Sequence, residues 1–398
     1  MRRAWVLGLV ICAIAVVGSI GYYVIPREIN TAEQLTTVNF STVQSSFQSS
    51  SSSSSSEAIP PEPHPINASV NLAVDYMLLC SGWSETRLHP LNPGLSLVLP
   101  NRFDWDIKWA VEHGINVFVM QIYDVSTLEP VLRQFLQARY LRYIKFAFNF
   151  VRESRFSLYQ VKDYLSYLNH PQYLRTGRKP VIFYRAAYSF RRDYGDDALL
   201  EMVKDVRNQI RSAVGLDIYL VGDIVQGAET ASKPPISMEA FDGVQMLFPL
   251  PTGLKTVGTV DSKGMRHYFT PYDTIISDYL EIDARWSSFA KKANKGFVPN
   301  VMANFNNTDA NELSPNRYVI LYHFHAVIVN ATVEGFMRLL KGSLTYVTPP
   351  LRMIYIMGWS EFHERDSIAP TQEYGFIYLE AVRNVYAAVE VSATTTRT

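Results

Sequence analysis

Short apolar runs alternate with longer amphipathic stretches between residues 67 and 390, and this alternation constrains the fold more than any other feature. The runs have the length and the β-branched and aromatic content of buried strands, and they lie at 74–80, 117–122, 144–150, 181–184, 218–221, 243–246, 297–303 and 353–357. Stretches with helical periodicity separate or follow them, at 105–113, 128–142, 158–168, 198–213, 275–294, 317–329 and 374–389. This order predicts an α/β fold, a (β/α)8 TIM barrel. A doubly wound open sheet is the alternative, but no glycine-rich phosphate loop follows the first strand.

The N-terminus has the pattern of a membrane anchor. Arg2 and Arg3 precede an uncharged run, 4–25, that is long enough for one transmembrane helix. Because positive flanks stay on the cytoplasmic side, we expect a cytoplasmic N-terminus at the cell membrane and an extracytoplasmic barrel, or a lumenal one in a eukaryote. A cleaved signal peptide is the alternative, since Ala13-Ile14-Ala15 resembles a cleavage site, although the apolar run continues past it.

A linker joins the anchor, 1–27, to the barrel domain, 67–390. Residues 28–66 are rich in Ser, Thr and Pro and contain an unbroken serine run at 49–56, which predicts a disordered stalk. A flexible tail is expected at 391–398. The formal net charge of zero gives no basic surface that would indicate a nucleic-acid partner. N-glycosylation sequons fit an exported glycoprotein and lie at Asn39, Asn67, Asn306 and Asn330.

The ends of the predicted strands supply the candidate binding residues. In a TIM barrel, the active site is built at the carboxyl ends of the strands. Polar and aromatic residues concentrate there, and aromatic faces combined with hydroxyl-binding groups are suited to a glycan. Arg185 also lies on this rim, without an assigned role. The candidate substrate-binding residues are Trp83, Tyr123, Asp124, Asn149, Tyr184, Asp223, Asn304, Trp359 and His363.

Two glutamates follow the last predicted strand, in the segment Met357-Gly358-Trp359-Ser360-Glu361-Phe362-His363-Glu364. Residues three apart are neighbours on a helical turn, and two close carboxyls can hold different protonation states. Acid/base chemistry on a glycosidic bond needs such a pair, so Glu361 and Glu364 are the candidate catalytic residues. The alternative is a solvated helix start, where the helix dipole alone favours glutamate.

The same segment resembles a known family. Ser360-Glu361-Phe362-His363-Glu364, Ile368-Ala369-Pro370, Tyr374-Gly375 and Tyr378-Leu379-Glu380-Ala381 are similar to the signature Asn-Glu-Trp-His-Glu-Gly, Ile-Glu-Pro, Tyr-Gly and Tyr-Leu-Glu-Ala. That signature belongs to glycoside hydrolase family 99 and to its relatives among bacterial glycan-assembly proteins. Weaker resemblances lie at 106–119, Tyr123, Tyr173 and 177–182.

The resemblance implies a TIM barrel that cleaves α-mannosidic linkages in mannose-rich glycans with retention. By this resemblance, Glu361 removes the proton of the sugar 2-hydroxyl, and Glu364 is the general acid/base. No metal and no organic cofactor is implied. The expected partners are an oligosaccharide and, through the N-terminal helix, a membrane.

The sequence departs from the signature at three positions, and the departures at Arg365 and Ala369 favour a second hypothesis. Ser360 replaces Asn, Arg365 replaces Gly and Ala369 replaces Glu. Arg365 is expected to lower the pKa of Glu364, because a nearby cation favours the ionised carboxyl. A catalytically silent protein that binds glycans or assembles surface glycans is therefore the alternative function. A purely structural surface protein on a serine-rich stalk is a third hypothesis.

Overall fold

The computed structural model describes residues 59–66, 69–78, 88–92, 101–122, 125–151, 161–225, 234–246, 257–260, 262, 266–308 and 324–395. Parallel strands, most of them wholly buried, form its centre. In chain order the strands are β1 Asn71–Tyr76, β2 Val117–Ile122, β3 Lys145–Phe150, β4 Arg175–Thr176, β5 Lys179–Tyr184, β6 Tyr219–Val225, β7 Gly243–Met246, β8 Val257–Val260, β9 Arg266–Pro271, β10 Gly296–Val298, β11 Asn300–Met302, β12 Phe324–Val329 and β13 Met353–Met357.

The main sheet closes into a barrel through one interrupted strand. β10 pairs with β7, β11 pairs with β13, and Pro299 separates β10 from β11. The proline has no N–H to donate, while its carbonyl accepts the N–H of Tyr355 in β13 at 2.9 Å. The interrupted strand therefore changes neighbours, and the ring runs β1, β2, β3, β5, β6, β7, β10–β11, β13 and back to β1. The predicted barrel is confirmed for the described residues, and the open sheet is excluded.

Helices cover the outside of this barrel. The helix that precedes β6 begins after Gly195 and ends before Gly215, whose φ angles are 89° and 67°. Asp196 in its first turn and Arg211 in its last turn are favourably placed for the helix dipole. Its buried residues recur at helical spacing, at Leu199, Val203, Val206 and Ile210. The helices are α1 Arg102–Glu112, α2 Val125–Leu136, α3 Ala187–Tyr194, α4 Asp196–Val214, α5 Tyr272–Lys292, α6 Val333–Ser343 and α7 Ile377–Thr395.

A second, three-stranded sheet lies outside the barrel. β9 pairs parallel with β12 and antiparallel with β8. β9 leads into α5 and β12 precedes α6, so this sheet belongs to the connections after β7 and β11. The helix predicted at 317–329 is wrong where the structure describes it, because 324–329 forms β12. Val327, Ile328 and Val329 are β-branched and favour the extended backbone.

Both ends of the predicted barrel domain differ from the sequence-based bounds. Residues 59–66, expected in the stalk, lie on the barrel, where the N–H of Ile66 donates to the carbonyl of Val111 at 3.0 Å. The Tyr140 hydroxyl donates to the carbonyl of Pro60 at 2.5 Å. At the other end, α7 continues to Thr395, so most of the expected tail is helical. Among the described residues, no helix is both long and apolar enough to cross a membrane; the predicted anchor, 1–27, and residues 28–58 lie outside them.

A layer of four polar side chains crosses the barrel near its carboxyl end. Paired residues on neighbouring strands share a face, and alternate barrel strands contribute inward side chains to a common layer. The layer consists of Asp75 in β1, Asn149 in β3, Asp223 in β6 and Asn300 in β11, all at most 2% exposed. The strand register shows that the four residues are related in the same way around the barrel. Two strands further on, the residue in register with each member lies two positions before the next member; these residues are Ala147, Val221, Val298 and Ala73.

The layer faces the inside of the barrel. The Asn149 side-chain amide donates to the hydroxyl of Tyr355 at 3.2 Å, although β3 and β13 are not neighbours in the sheet. The Tyr355 ring also lies 5.7 Å from the ring of Phe183 in β5. Both contacts cross the lumen. Branched apolar side chains usually fill such layers, so a ring of two aspartates and two asparagines indicates a polar role.

Candidate active site

The two glutamates lie in a tight loop at the carboxyl end of β13. Gly358 opens the loop with a φ of 117°, and a Cβ there would lie 2.1 Å from the carbonyl oxygen of Asp366. Glycine is therefore required on both counts. The N–H of Asp366 donates to the carbonyl of Glu361 at 3.1 Å, and Phe362–Glu364 between them forms one 3-10 turn.

Neighbouring elements hold this loop on two sides. The N–H of Trp359 donates to the carbonyl of Asp75 in β1 at 2.7 Å. After β11, the N–H of Asn306 donates to the carbonyl of Glu364 at 2.6 Å. Glu364 is 6% exposed and Glu361 is half-buried. The solvated helix start is therefore excluded as an account of this pair.

Four carboxyl groups and one guanidinium act on each other here. Asp75, Glu361, Glu364 and Asp366 all lie in the field of Arg185. The Arg185 Nη1 atom lies 3.7 Å from the Asp75 Oδ2 atom, and both side chains are buried. One guanidinium cannot balance four ionised carboxyls in a medium of low polarity, so some of the carboxyls keep their protons at neutral pH.

The pKa values of the two glutamates lie near neutrality. Burial, reinforced by the negative charge of Asp75 and opposed by Arg185, raises the pKa of Glu361 to about 8. Burial also raises the pKa of Glu364 to about 7, where Arg185 opposes the shift and Asp75 adds to it. For Asp366, burial and then Glu364, Asp75 and Glu361 hold the pKa well above its ordinary range. The site therefore contains two carboxyls that can exchange protons close to pH 7.

The charges that shift the pKa values of the two glutamates differ from those expected from the sequence. The negative charge that raises the pKa of Glu361 is that of Asp75 rather than that of Glu364. The cation that opposes the rise at Glu364 is Arg185 rather than the adjacent Arg365. Arg365 instead adopts the left-handed backbone region, with a φ of 52°, at the position where the family signature has glycine.

Asp75 is the centre of a hydrogen-bond network inside the barrel. The Tyr355 hydroxyl donates to Asp75 Oδ1 at 2.5 Å and accepts from the Asn149 amide. The Gln121 side-chain amide donates to Asp75 Oδ2, the oxygen that faces Arg185. Burial raises the pKa of Asp75, and Arg185, Tyr355 and Gln121 each oppose that rise. These partners fix the carboxyl that controls the glutamate pair.

Among the predicted binding residues, Asn149 and Asp223 lie in the polar layer inside the barrel. Tyr184 does not reach the lumen, and its predicted role in binding substrate is wrong. Tyr184 pairs with Phe150, whose side chain packs outward on Tyr164, and paired residues share a face. Tyr184 is fully buried on that outer face. The strand-end rule selects the right height in the barrel, and strand alternation then decides which face a residue occupies.

Trp359 is fully buried and its ring lies 5.5 Å from that of Phe118, so the predicted sugar platform at Trp359 is wrong. Asn304 follows β11 and is half-buried, and its side-chain oxygen accepts the N–H of Phe305 at 2.8 Å. That bond caps the local chain and leaves the predicted role in binding untested. Trp83, Tyr123 and Asp124 lie outside the described residues, as does the side chain of His363.

Sequence reasoning did not select Asp75, Tyr355 or Asp366. A signal for the first existed, because Asp75 is the lone charged residue of the apolar strand Asn71–Tyr76. A carboxyl in the middle of a buried strand is costly, which marks it for a pairing or a function. Tyr355 sits in the equally apolar β13. Within the described residues, no group of three or more His, Cys, Asp or Glu side chains is placed to hold a metal ion.

Solved structures share this fold at low sequence identity. A glycoside hydrolase-like protein has a TM-score of 0.55 at 15% identity, over 82% of this chain and 98% of that one. A GH99 endo-α-mannosidase from Bacteroides thetaiotaomicron, in complex with bis-tris-propane, has a TM-score of 0.56 at 14% identity, over 83% and 100%. A second structure of a GH99 endo-α-mannosidase from this organism gives 0.53 at 14%, over 82% and 99%.

No protein-family model matches the sequence, and no curated protein sequence matches it. Over most of its length, the chain nevertheless has the fold of glycoside hydrolases that include GH99 endo-α-mannosidases, which confirms at the level of fold the resemblance of its strand-end motif.

Proposed function

We propose that this chain is a membrane-anchored, exported glycoside hydrolase that cleaves α-linked mannose-type glycans with retention. Glu361 acts as the base toward the sugar 2-hydroxyl, and Glu364 protonates the leaving oxygen and then activates water. The observation that carries the proposal is the placement of these two glutamates, with pKa values of about 8 and about 7, in a buried cluster at the carboxyl end of the barrel. Two carboxyls that titrate near neutrality are suited to general acid/base catalysis.

The pKa values determine how much of the protein has both glutamates in the protonation states that these roles require. Glu364 keeps its proton below about pH 7, which a general acid requires. Glu361 loses its proton above about pH 8, which a base requires, so the form with both groups ready is a minority of the free protein at neutral pH. Arg185 lowers the pKa of both glutamates, so it favours the ionised form of Glu361 that a base needs and opposes the protonated form of Glu364 that an acid needs.

The second candidate function is a silent glycan-binding or glycan-assembly protein. The observation that favours it is the same high pKa of Glu361, since a protonated carboxyl is no base. The replacements at Arg365 and Ala369 favour the same function. Ser360 is fully buried and donates to the carbonyl of Met77 at 3.3 Å, so it contributes to the packing of the loop.

Hydrolysis of α-linked manno-oligosaccharides by the full-length chain separates the two functions. Glu361→Gln and Glu364→Gln keep the size of each side chain but remove the titratable proton. General acid/base catalysis contributes about 10²–10⁴-fold, so each change is expected to lower kcat by at least about 10²-fold. Glu281→Gln is the matched control, because Glu281 lies on the surface of α5 and pairs with Arg285. Proton NMR of the first product shows whether the anomeric configuration is retained.

Binding without cleavage by the parent protein would replace the hydrolase by the silent glycan-binding protein. Full turnover in both Gln variants would remove the glutamates from the mechanism. The anchor is tested separately by protease treatment of intact cells, which is expected to release a fragment that begins in the serine-rich segment. A barrel that stays protected would contradict the proposed orientation.

A further inference from the structure

We propose that the outer face of the small sheet, formed by β8, β9 and β12, binds the distal sugars of an oligosaccharide whose reacting linkage lies at Glu361 and Glu364. Phe269 supplies an aromatic face for a sugar ring, and Asn306 supplies an amide donor for a sugar hydroxyl. The inference rests on the glycan specificity proposed above, and it applies equally to a hydrolase and to a silent glycan-binding protein.

The small sheet has an inner face that packs on the barrel and an outer face that is open. Paired residues on neighbouring strands share a face, and successive residues along a strand alternate between faces. On the inner face, Ala326 and Thr270 are almost fully buried, and Tyr268 packs against the barrel core. The outer face therefore carries the alternate residues, among them the pair Phe269 and Val327.

Backbone contacts connect this outer face to the glutamate loop. The N–H of Asn306 donates to the carbonyl of Glu364 at 2.6 Å. Asn306 also forms a β-bridge with Val327 of β12, and Val327 pairs with Phe269 of β9. The side chains of Asn306, Val327 and Phe269 therefore share one face, in a row that begins beside the glutamate loop.

The length of this row determines the size of the ligand. Neighbouring strands are about 4.8 Å apart, so Phe269 lies about 10 Å from Asn306 across two strand spacings. One sugar ring does not span that separation. A ligand that contacts both residues is an oligosaccharide, and the sugar on Phe269 is remote from the linkage at the glutamates.

Phe269 is the aromatic group of the outer face. Its side chain is 39% exposed, and no other phenylalanine is as exposed among the side chains that the structure describes. The ring of His267, two residues earlier on the same face, is nearly parallel to it, with the ring centres 6.5 Å apart. An exposed aromatic group with polar neighbours is typical of a binding site, and a ring face suits the C–H groups of a sugar.

The Asn306 side chain is held by the turn that follows it. Its amide oxygen accepts the backbone N–H of Thr308 at 3.0 Å and also accepts the Thr308 hydroxyl. The amide nitrogen has no protein acceptor in the described part of the chain, and the residue is half-buried. The oxygen is therefore engaged while two N–H donors are available, and a sugar hydroxyl accepts such donors.

The surroundings of Phe269 favour a glycan over a second copy of the chain. Thr259 of β8, paired with His267, is exposed and polar. The buried centre of a protein interface is predominantly apolar, whereas a ligand site combines an apolar surface with a few polar groups that fix orientation. The row from Phe269 also ends at the glutamate loop, which gives a bound glycan a continuous path.

Calorimetric titration of the full-length chain tests this subsite. All proteins carry Glu361→Gln, so that the ligands stay uncleaved, and the ligands are an α-linked mannotetraose and methyl α-mannoside. In this background, Phe269→Ala is expected to raise the Kd of the tetraose about 3- to 10-fold, the effect of losing one aromatic contact. No comparable loss is expected for methyl α-mannoside, which cannot reach Phe269 from the glutamates. Phe269→Trp keeps an aromatic face and should restore the affinity for the tetraose.

Ile236→Ala in the same background is the matched control. Ile236 is another exposed apolar side chain, in the turn that leads into β7 at the opposite, amino end of the barrel. It should leave both affinities unchanged.

The outcomes separate this inference from the proposed function. Equal tetraose affinities with and without Phe269→Ala would overturn the subsite, and hydrolysis by the parent chain would still support the proposed function. Absence of binding of either sugar would overturn the inference together with the glycan specificity on which it rests. Self-association that Phe269→Ala abolishes at unchanged tetraose affinity, measured by analytical ultracentrifugation, would assign the face to a second copy and overturn the subsite.

Discussion

The backbone N–H of Trp359 donates to the carbonyl oxygen of Asp75 at 2.7 Å. This bond attaches the loop that contains Glu361 and Glu364 to β1, the strand that contains Asp75. The side chain of Asp75 enters the barrel and acts on Glu361, while its backbone carries the loop. One residue therefore couples the position of the loop to the protonation of the pair. This coupling makes the pH dependence of the proposed activity sensitive to the charges inside the barrel.

The first prediction is a pH optimum of kcat/KM between about 7 and 8. The proposed mechanism needs ionised Glu361 and protonated Glu364, and kcat/KM reports the free protein. Since the base has the higher pKa, the profile rises up to about pH 7, is nearly flat between the two pKa values and falls above about pH 8. Initial rates with an α-mannoside from pH 4 to pH 10 measure it. An optimum near pH 5 would show that burial does not shift these carboxyls.

The second prediction is that Asp75→Asn and Arg185→Gln move this optimum in opposite directions. Beyond burial, Asp75 raises the pKa of both glutamates, so its neutralisation shifts the optimum to lower pH. Arg185 lowers both pKa values, so its removal shifts the optimum to higher pH. A merely structural role would lower activity in both variants without moving the profile. Shifts of the same sign in both variants would contradict the electrostatic account.

Most of the barrel could be predicted from the sequence because strand and helix periodicities differ strongly. The predicted bounds 117–122, 243–246 and 353–357 match β2, β7 and β13. The interruption at Pro299 could not be predicted, since it depends on pairing with two different neighbours. In the small sheet, β12 pairs with β9, which is distant in sequence, and pairing of that kind leaves little local signal.

The candidate site was predicted in part. The strand-end rule placed Glu361, Glu364, Asn149 and Asp223 at the correct end of the barrel. It failed for Tyr184, because the rule ignores the alternation of faces along a strand. Asp75 escaped notice as one charge in an apolar run. Its role depends on a hydrogen bond from Tyr355, which is distant in sequence but lies on the neighbouring strand β13.

The third prediction is that Gly358→Ala unfolds the glutamate loop. A Cβ at this position would lie 2.1 Å from the Asp366 carbonyl oxygen, and the φ of 117° is unfavourable for alanine. Backbone strain and the clash together are expected to lower stability by at least about 2 kcal/mol, measured by urea unfolding. Gly177→Ala is the control, with a φ of 58° and open space around it, so it reports strain without a clash. Equal losses in both variants would show that the loop relaxes around the new side chain.

The last prediction concerns stability as a function of pH, independently of any activity. Glu361 has a folded pKa of about 8 against an ordinary value of 4.5. Between those values the folded state holds a proton that the unfolded state has lost, so the free energy of unfolding falls as pH rises through this window. Glu361→Gln has no proton to lose there. Its thermal midpoint should equal that of the parent near pH 4.5 and exceed it increasingly up to pH 8, with a constant difference above. Glu281→Gln, changed at the surface, should follow the parent throughout. A difference that shrinks with rising pH would mean that Glu361 is stabilised as the anion, the opposite sign to that required by its burial.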